Sequence, residues 1–127
     1  MDMNRMTVKL QEALQSSSAL AMRRGHQGID VEHLLLALLE QEHGIAGSLC
    51  EQAGISPAAV RQAAEQALAK VPQVQGPGSA PGQIHLTPRL GALLTKAEEQ
   101  MKELRDEFVS VEHILLAMVE EGGVFRR

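Results

Sequence analysis

The sequence VEHLLLALLE at residues 31–40 returns as VEHILLAMVE at residues 111–120. Seven of the ten positions are identical, and the other three exchange one aliphatic residue for another. The match continues in the preceding sequence, where residues eighty positions apart are again the same: Thr7 and Thr87, Leu10 and Leu90, Leu14 and Leu94. The chain therefore contains an internal repeat whose unit is longer than the ten-residue motif.

Each copy of the motif predicts a buried helix, because its apolar residues run almost all the way round a helical wheel. Asp30 and Ser110 stand at the N-cap positions, where a side-chain oxygen accepts from an otherwise unpaired backbone N–H. Glu32 and Glu112 fall in the first turn, where a negative charge suits the helix dipole. The motif therefore indicates a central helix in each repeat, with other helices packed on several sides.

Apolar spacing and turn residues predict an all-α fold of two tandem repeats joined by a Pro/Gly-rich linker. Within one domain spanning residues 1–127, repeat one covers about 7–70, the linker about 71–86 and repeat two about 87–127. Unit one has four predicted helices, which begin near Thr7, Val31, Ile45 and Pro57, whereas unit two has two, which begin at Pro88 and Val111.

The second unit is incomplete by the logic of the repeat. It lacks roughly 25 residues that would form counterparts of the third and fourth helices. We therefore expect the chain to be a segment of a longer protein. We also expect the apolar face of the last helix to be partly bare and to promote association, at Ile114, Leu115, Met118 and Val119.

Composition excludes several classes of partner. The net charge of −4 and the pI near 5.7 arise without any basic run, which argues against nucleic acid and against an anionic membrane surface. Cys50 is alone, which predicts a small buried hydrophobe in a reducing cytoplasm and not a disulfide. No uncharged apolar run reaches the length of a membrane span, and the charges scattered through the first twenty residues predict that this stretch is not a signal peptide.

No catalytic or metal-binding pattern is found in the sequence. The five histidines include no His-Glu-x-x-His pair, and no nucleophile elbow or Cys/His metal spacing occurs. His33 and His113 occupy equivalent helix starts, which favours capping or packing over metal binding. The acids Glu32, Asp106 and Glu112 leave two interpretations open: they cap helices, or they cluster as a recognition site for a cationic or polar group.

These features resemble the N-terminal domain of the Clp family of AAA+ chaperones. The resemblance covers the whole chain and rests on the doubled Val-Glu-His motif, on Thr7 and on Thr87-Pro88. The segment VPQVQG at residues 71–76, with Ala53-Gly54-Ile55 before it, is more similar to the ClpB disaggregases than to the protease-associated ClpA or ClpC.

The resemblance implies a non-enzymatic, substrate-recruiting domain of a cytoplasmic, homohexameric disaggregase. Unfolded or aggregated polypeptide would bind in a shallow apolar groove with an acidic margin, while ATP would bind only to other parts of the full-length protein. The family's polar trio maps onto Thr7, Asp106 and Glu112, and Phe108 could add apolar surface. Alternatives are adaptor docking, phosphoarginine recognition by Glu32 and Glu112, or a purely structural cap.

Overall fold

The computed structural model describes residues 3–42, 44–73 and 85–125, most of which are helical. The six α-helices are α1 Val8–Arg23, α2 Val31–Glu40, α3 Ala46–Gln52, α4 Pro57–Ala69, α5 Pro88–Glu103 and α6 Val111–Glu121. Two strands of two residues each, β1 Gly28–Ile29 and β2 His85–Leu86, and short 3-10 turns at Met3–Arg5 and Gly123–Phe125 complete these ranges. The all-α prediction is confirmed, and the helices begin within one residue of their predicted starts.

The helix starts are capped in the same way in both repeats. Thr7 Oγ1 accepts the N–H of Leu10 at 3.3 Å, and Thr87 Oγ1 accepts the N–H of Leu90 at 3.1 Å. At both central helices, the histidine three positions after the N-cap residue completes a capping box, because its side chain accepts a hydrogen bond from the N-cap backbone. Its Nδ1 accepts the backbone N–H of the cap residue at 2.9 Å, in His33 as in His113.

Helix α2 lies at the centre of the core. Every residue from 31 to 38 is buried, because α1 and α4 pack along α2, and α3 and α5 also contact it. The second central helix, α6, is covered by α5 on one side and by α3 of the first repeat on another. The two central helices thus have few polar residues because other helices surround them on several sides.

The expectation of a bare face on α6 is wrong for three of its four residues. Ile114, Leu115 and Met118 are buried, with exposed fractions of 0%, 7% and 1%. Helix α3 and the turn at 123–125 pack against α6, an inter-repeat contact that a helix-by-helix comparison of the repeats does not anticipate. The exposed apolar residues of this helix are Val119, as expected, and Leu116.

Short parallel backbone pairings tie the two repeats together. The Thr7 N–H donates to Val109 O at 3.0 Å, and the Thr87 N–H donates to Ile29 O at 3.1 Å. In each repeat, the segment before the first helix therefore pairs with the segment before the central helix of the other repeat. His85 and Leu86, at the end of the predicted linker, form strand β2, which pairs with Gly28 and Ile29 of repeat one; the division into two repeats and a linker stays a prediction. Linker residues 74–84 lie outside the described residues.

Candidate functional site

An open surface pocket of about 420 Å³ lies where α5 ends and α6 begins. Three of its lining side chains are large, apolar and exposed: Leu104, Phe108 and Leu116. The others are polar or charged: Asp106, Glu107, Ser110, Glu112 and His113. The pocket therefore combines aliphatic and aromatic surface with carboxylates along its margin, which suits an extended or unfolded polypeptide.

The turn at residues 105–108 carries much of this pocket. Arg105 has a φ of 60°, the left-handed conformation that Gly25 adopts with a φ of 71° in repeat one. This conformation reverses the chain after α5 and lets the Asp106 N–H donate to Met101 O at 3.0 Å. The turn thus presents Asp106 and Phe108 beside the start of α6.

A histidine beneath the pocket orients the Asp106 carboxylate. The Nδ1 of His113 accepts the backbone N–H of Ser110, so its Nε2 carries the proton and donates to Asp106 Oδ2 at 2.8 Å. The His113 side chain is 6% exposed, whereas that of Asp106 is 51% exposed. Asp106 is therefore held from below while its carboxylate remains accessible from solvent.

Glu112 projects from the first turn of α6 and remains open. It is exposed and lines both the pocket just described and a neighbouring apolar groove. Among the residues that the structure describes, its carboxylate has no ion pair or side-chain hydrogen bond. The Glu112 carboxylate is thus available to accept hydrogen bonds, and it lies between two stretches of exposed apolar surface.

Glu32, the counterpart of Glu112 in repeat one, is placed quite differently. It is buried, and Arg89 Nη1 donates to its two carboxylate oxygens at 2.9 and 2.8 Å. Arg89 also holds Glu121, through Nε at 2.8 Å and Nη2 at 2.7 Å. Hydrogen bonds to Glu121 and Glu32 raise the pKa of Arg89 above its ordinary value. The two copies of the motif therefore hold the same glutamate in different settings: Glu32 is buried and paired, whereas Glu112 is exposed.

Of the five predicted site residues, the structure brings three together in the pocket: Asp106, Phe108 and Glu112. Thr7 does not line it; its hydroxyl caps α1 and its N–H pairs with Val109, which lies between two lining residues. Glu32 does not line it either, because it is paired with Arg89. Binding of polypeptide by these residues stays a prediction.

Sequence reasoning missed a second groove, between α3 and α6. Its volume is about 480 Å³, and it is lined by Leu49, Cys50, Ala53, Ile55, Glu112, Leu115, Leu116, Val119 and Phe125. Burial raises the pKa of the Cys50 thiol, so this residue serves as apolar wall and not as a nucleophile. The motif alone does not predict the groove. The aliphatic residues of α6 form one continuous apolar pattern in the sequence, and this pattern does not distinguish those that another helix buries from those that stay exposed.

The described residues hold no group of three or more His, Cys, Asp or Glu side chains that could bind a metal ion. Within the same ranges, no helix has both the length and the apolarity needed to cross a bilayer.

Comparisons with known proteins agree with the fold and the repeat. The family model of the Clp repeat (R) N-terminal domain matches residues 5–127. The chaperone protein ClpB of Nitratidesulfovibrio vulgaris is 46% identical over 121 residues, which are 95% of this chain and 14% of the relative. The chain thus spans about a seventh of the length of this curated relative.

Two solved structures share the fold. The N-terminal domain of Hsp104 from Candida albicans has a TM-score of 0.79 and 23% identity, covering 94% of this chain and 77% of its own. A complex of the ClpV N-domain with a VipB peptide has a TM-score of 0.75 and 21% identity, covering 98% of this chain and 73% of its own. The matched family is a small helical N-terminal domain and not a catalytic ATPase module. The chain belongs to the family of Clp repeat N-terminal domains of AAA+ chaperones, and it is similar to the ClpB members of that family.

Proposed function

We propose that this domain recruits unfolded or aggregated polypeptide for a ClpB-type disaggregase. The observation that carries the proposal is the pocket at the start of α6, where exposed Leu104, Phe108 and Leu116 adjoin accessible carboxylates. An extended chain would place apolar side chains on these three residues. Its backbone N–H groups, or its Lys and Arg side chains, would donate to Asp106 and Glu112.

Two of the comparisons support a polypeptide ligand. The ClpB relative is a chaperone, and the ClpV N-domain forms a complex with a peptide. In the parent protein, this domain would stand before ATP-binding modules of a cytoplasmic homohexamer, to which it would deliver its substrate. The domain itself would bind without catalysing a reaction.

The alternative of phosphoarginine recognition assigns the ligand to both glutamates of the repeated motif, Glu32 and Glu112. Arg89 already holds Glu32 through both carboxylate oxygens, so only Glu112 remains available in this structure. This difference supports polypeptide recruitment at the pocket beside Glu112 over phosphoarginine recognition by both glutamates.

The acidic margin can be tested by removing its charges without removing its shape. We expect the double variant Asp106→Asn/Glu112→Gln to bind a chemically unfolded, alkylated reporter protein more weakly than the parent. The amide oxygens can still accept hydrogen bonds, but a charge-assisted bond, worth roughly 1.5–3 kcal/mol, is about twice as strong as a neutral one, so the two substitutions together should weaken binding by about 10- to 100-fold. Asparagine at position 106 can still accept the His113 proton, so the turn should remain folded.

A matched control separates the local effect from the change in net charge. Glu99 and Glu103 are exposed on α5 and do not line the pocket. Their double Gln variant changes the net charge equally, and it should bind as the parent does. The reporter is titrated into isotope-labelled domain while amide shifts are followed. Parent-like affinity of a folded Asp106/Glu112 variant would show that these acids do not bind the polypeptide.

A further inference from the structure

Two residues at equivalent positions of the repeats accept the same hydrogen bond but differ in chemistry. Position 26 is histidine, and position 106, eighty residues later, is aspartate. His33 and His113, also eighty residues apart, donate from Nε2 to these two side chains, at 2.8 Å in both repeats. His26 is buried, with an exposed fraction of 3%, whereas the Asp106 side chain is 51% exposed. The same hydrogen bond therefore ends in the core of repeat one and at the pocket surface in repeat two.

The N-cap of α6 fixes the direction of the bond to Asp106. The backbone N–H and the hydroxyl of Ser110 approach His113 Nδ1 at 2.9 and 3.0 Å, so this nitrogen accepts and the ring proton lies on Nε2. The His113 side chain is 6% exposed, and turning its ring would break the bonds of the cap. Its Nε2–H is therefore held in one direction, towards the Oδ2 atom of Asp106.

This bond leaves the second carboxylate oxygen of Asp106 for a ligand. Oδ2 accepts from His113, whereas Oδ1 has no hydrogen bond or ion pair within the part of the chain that the structure describes. An exposed aspartate on a turn would otherwise sample several rotamers, and a ligand would have to immobilise it on binding. Holding Oδ2 fixes the direction of Oδ1 before the ligand arrives, which lowers the entropic cost of the bond that the ligand forms.

We propose that His113 is a positioning residue for polypeptide binding, because it holds Asp106 so that Oδ1 faces an N–H donor of the bound chain. The inference rests on the proposed function, which supplies the ligand. It goes beyond that function by assigning part of the affinity to a nearly buried side chain that acts through Asp106. The equivalent histidine of repeat one has no such role, since its acceptor, His26, is buried.

The test removes the Nε2 donor and keeps the cap. In His113→Asn, the side-chain oxygen takes the place of Nδ1 as acceptor for the Ser110 N–H, while nothing takes the place of Nε2. The variant should bind the unfolded, alkylated reporter protein about 3- to 10-fold more weakly than the parent, which is the cost of immobilising one side chain. In an Asp106→Ala background, the same substitution should leave the affinity unchanged, because its effect passes through Asp106. A merely structural role would weaken binding equally in both backgrounds.

His33→Asn is the matched control in repeat one. It keeps the cap of α2 and removes the equivalent bond to His26, which does not line the pocket, so the folded variant should bind as the parent does. A second measurement needs no substitution. When the reporter is titrated into the parent, the ring nitrogen NMR signals of His113 should shift and saturate, because the ligand shares the Asp106 carboxylate, whereas those of His33 should not move.

The outcomes separate this proposal from the proposed function. The role of His113 is overturned if His113→Asn binds as tightly as the parent, or if it weakens binding equally with and without Asp106. Ring signals of His113 that stay unchanged while the reporter binds would overturn it as well, and these signals decide alone if His113→Asn does not fold. In each of these cases the parent still binds, so the proposed function stands. If the parent does not bind the reporter at all, both proposals fail.

Discussion

The buried pair of His26 and His33 should make the stability of the domain fall steeply in mild acid. His33 Nδ1 accepts the Asp30 N–H, so His33 Nε2 carries the proton and donates to His26 Nδ1 at 2.8 Å. A further proton on either ring would break one of these bonds or set two donors against each other. Burial first, and then the neighbouring His26, lowers the pKa of His33 from 6.5 to about 4. Burial and Arg24 also lower the pKa of His26.

The size of the effect follows from the difference in proton uptake between the two states. Between pH 6.5 and 4 the unfolded chain protonates His33 while the folded domain does not, so unfolding is favoured as the pH falls. The stabilisation is complete above pH 6.5 and is lost on the way down to pH 4. For the His33 shift alone, the free energy of unfolding should drop by about 2 kcal/mol between pH 7.5 and pH 5.

The assay compares urea unfolding at these two pH values for the parent and for His33→Gln. Glutamine at this position can still accept the cap N–H, as in an ordinary capping box, but it does not titrate. The variant should therefore lose about 2 kcal/mol less than the parent on acidification. His113→Gln, the equivalent change in repeat two, should retain the acid loss that arises from His33. If His33→Gln and the parent lose equal stability, the reasoning is refuted.

Two further substitutions test the packing of α5 and the turn after it. The Oε1 atom of Gln100 is buried without a hydrogen-bond partner among the described residues. The substitution Gln100→Leu should therefore raise the free energy of unfolding by about 1 kcal/mol. An unchanged urea midpoint would mean that this carbonyl has a hydrogen-bond partner in solution. Arg105 occupies the left-handed region, so Arg105→Gly should stabilise the domain by roughly 0.5–1 kcal/mol, and a lower melting temperature would contradict this.

Local signals predicted most of the fold. The caps at Thr7 and Thr87 and the apolar wheel of the repeated motif act within one helix, so they could be recognised from neighbouring residues alone. Strand β2 and the burial of Leu115 could not be predicted in this way. Both depend on a segment of the other repeat, and no local pattern marks that segment as the partner.

The candidate site was predictable in part for the same reason. Asp106 and Glu112 lie six residues apart, on a turn and on the helix that follows it, so their proximity follows from short-range geometry. The difference in burial between Glu32 and Glu112 does not follow from short-range geometry. It is caused by Arg89, which lies 57 residues from Glu32 along the chain and reaches it only after the repeats have packed together.

The crossed backbone pairings at Thr7–Val109 and Thr87–Ile29 have a consequence for the ancestry of the domain. A single repeat contains an equivalent of each partner, because Thr87 and Val109 lie eighty positions after Thr7 and Ile29, so two separate copies could make both pairings by exchange across a twofold axis. The chain therefore has the architecture of a homodimer whose protomers were joined end to end. Identical protomers must carry identical residues at equivalent positions. In the single chain the equivalent positions differ, with lysine at position 9 and arginine at position 89, so the Glu32 carboxylate is paired with Arg89 whereas Glu112 is exposed.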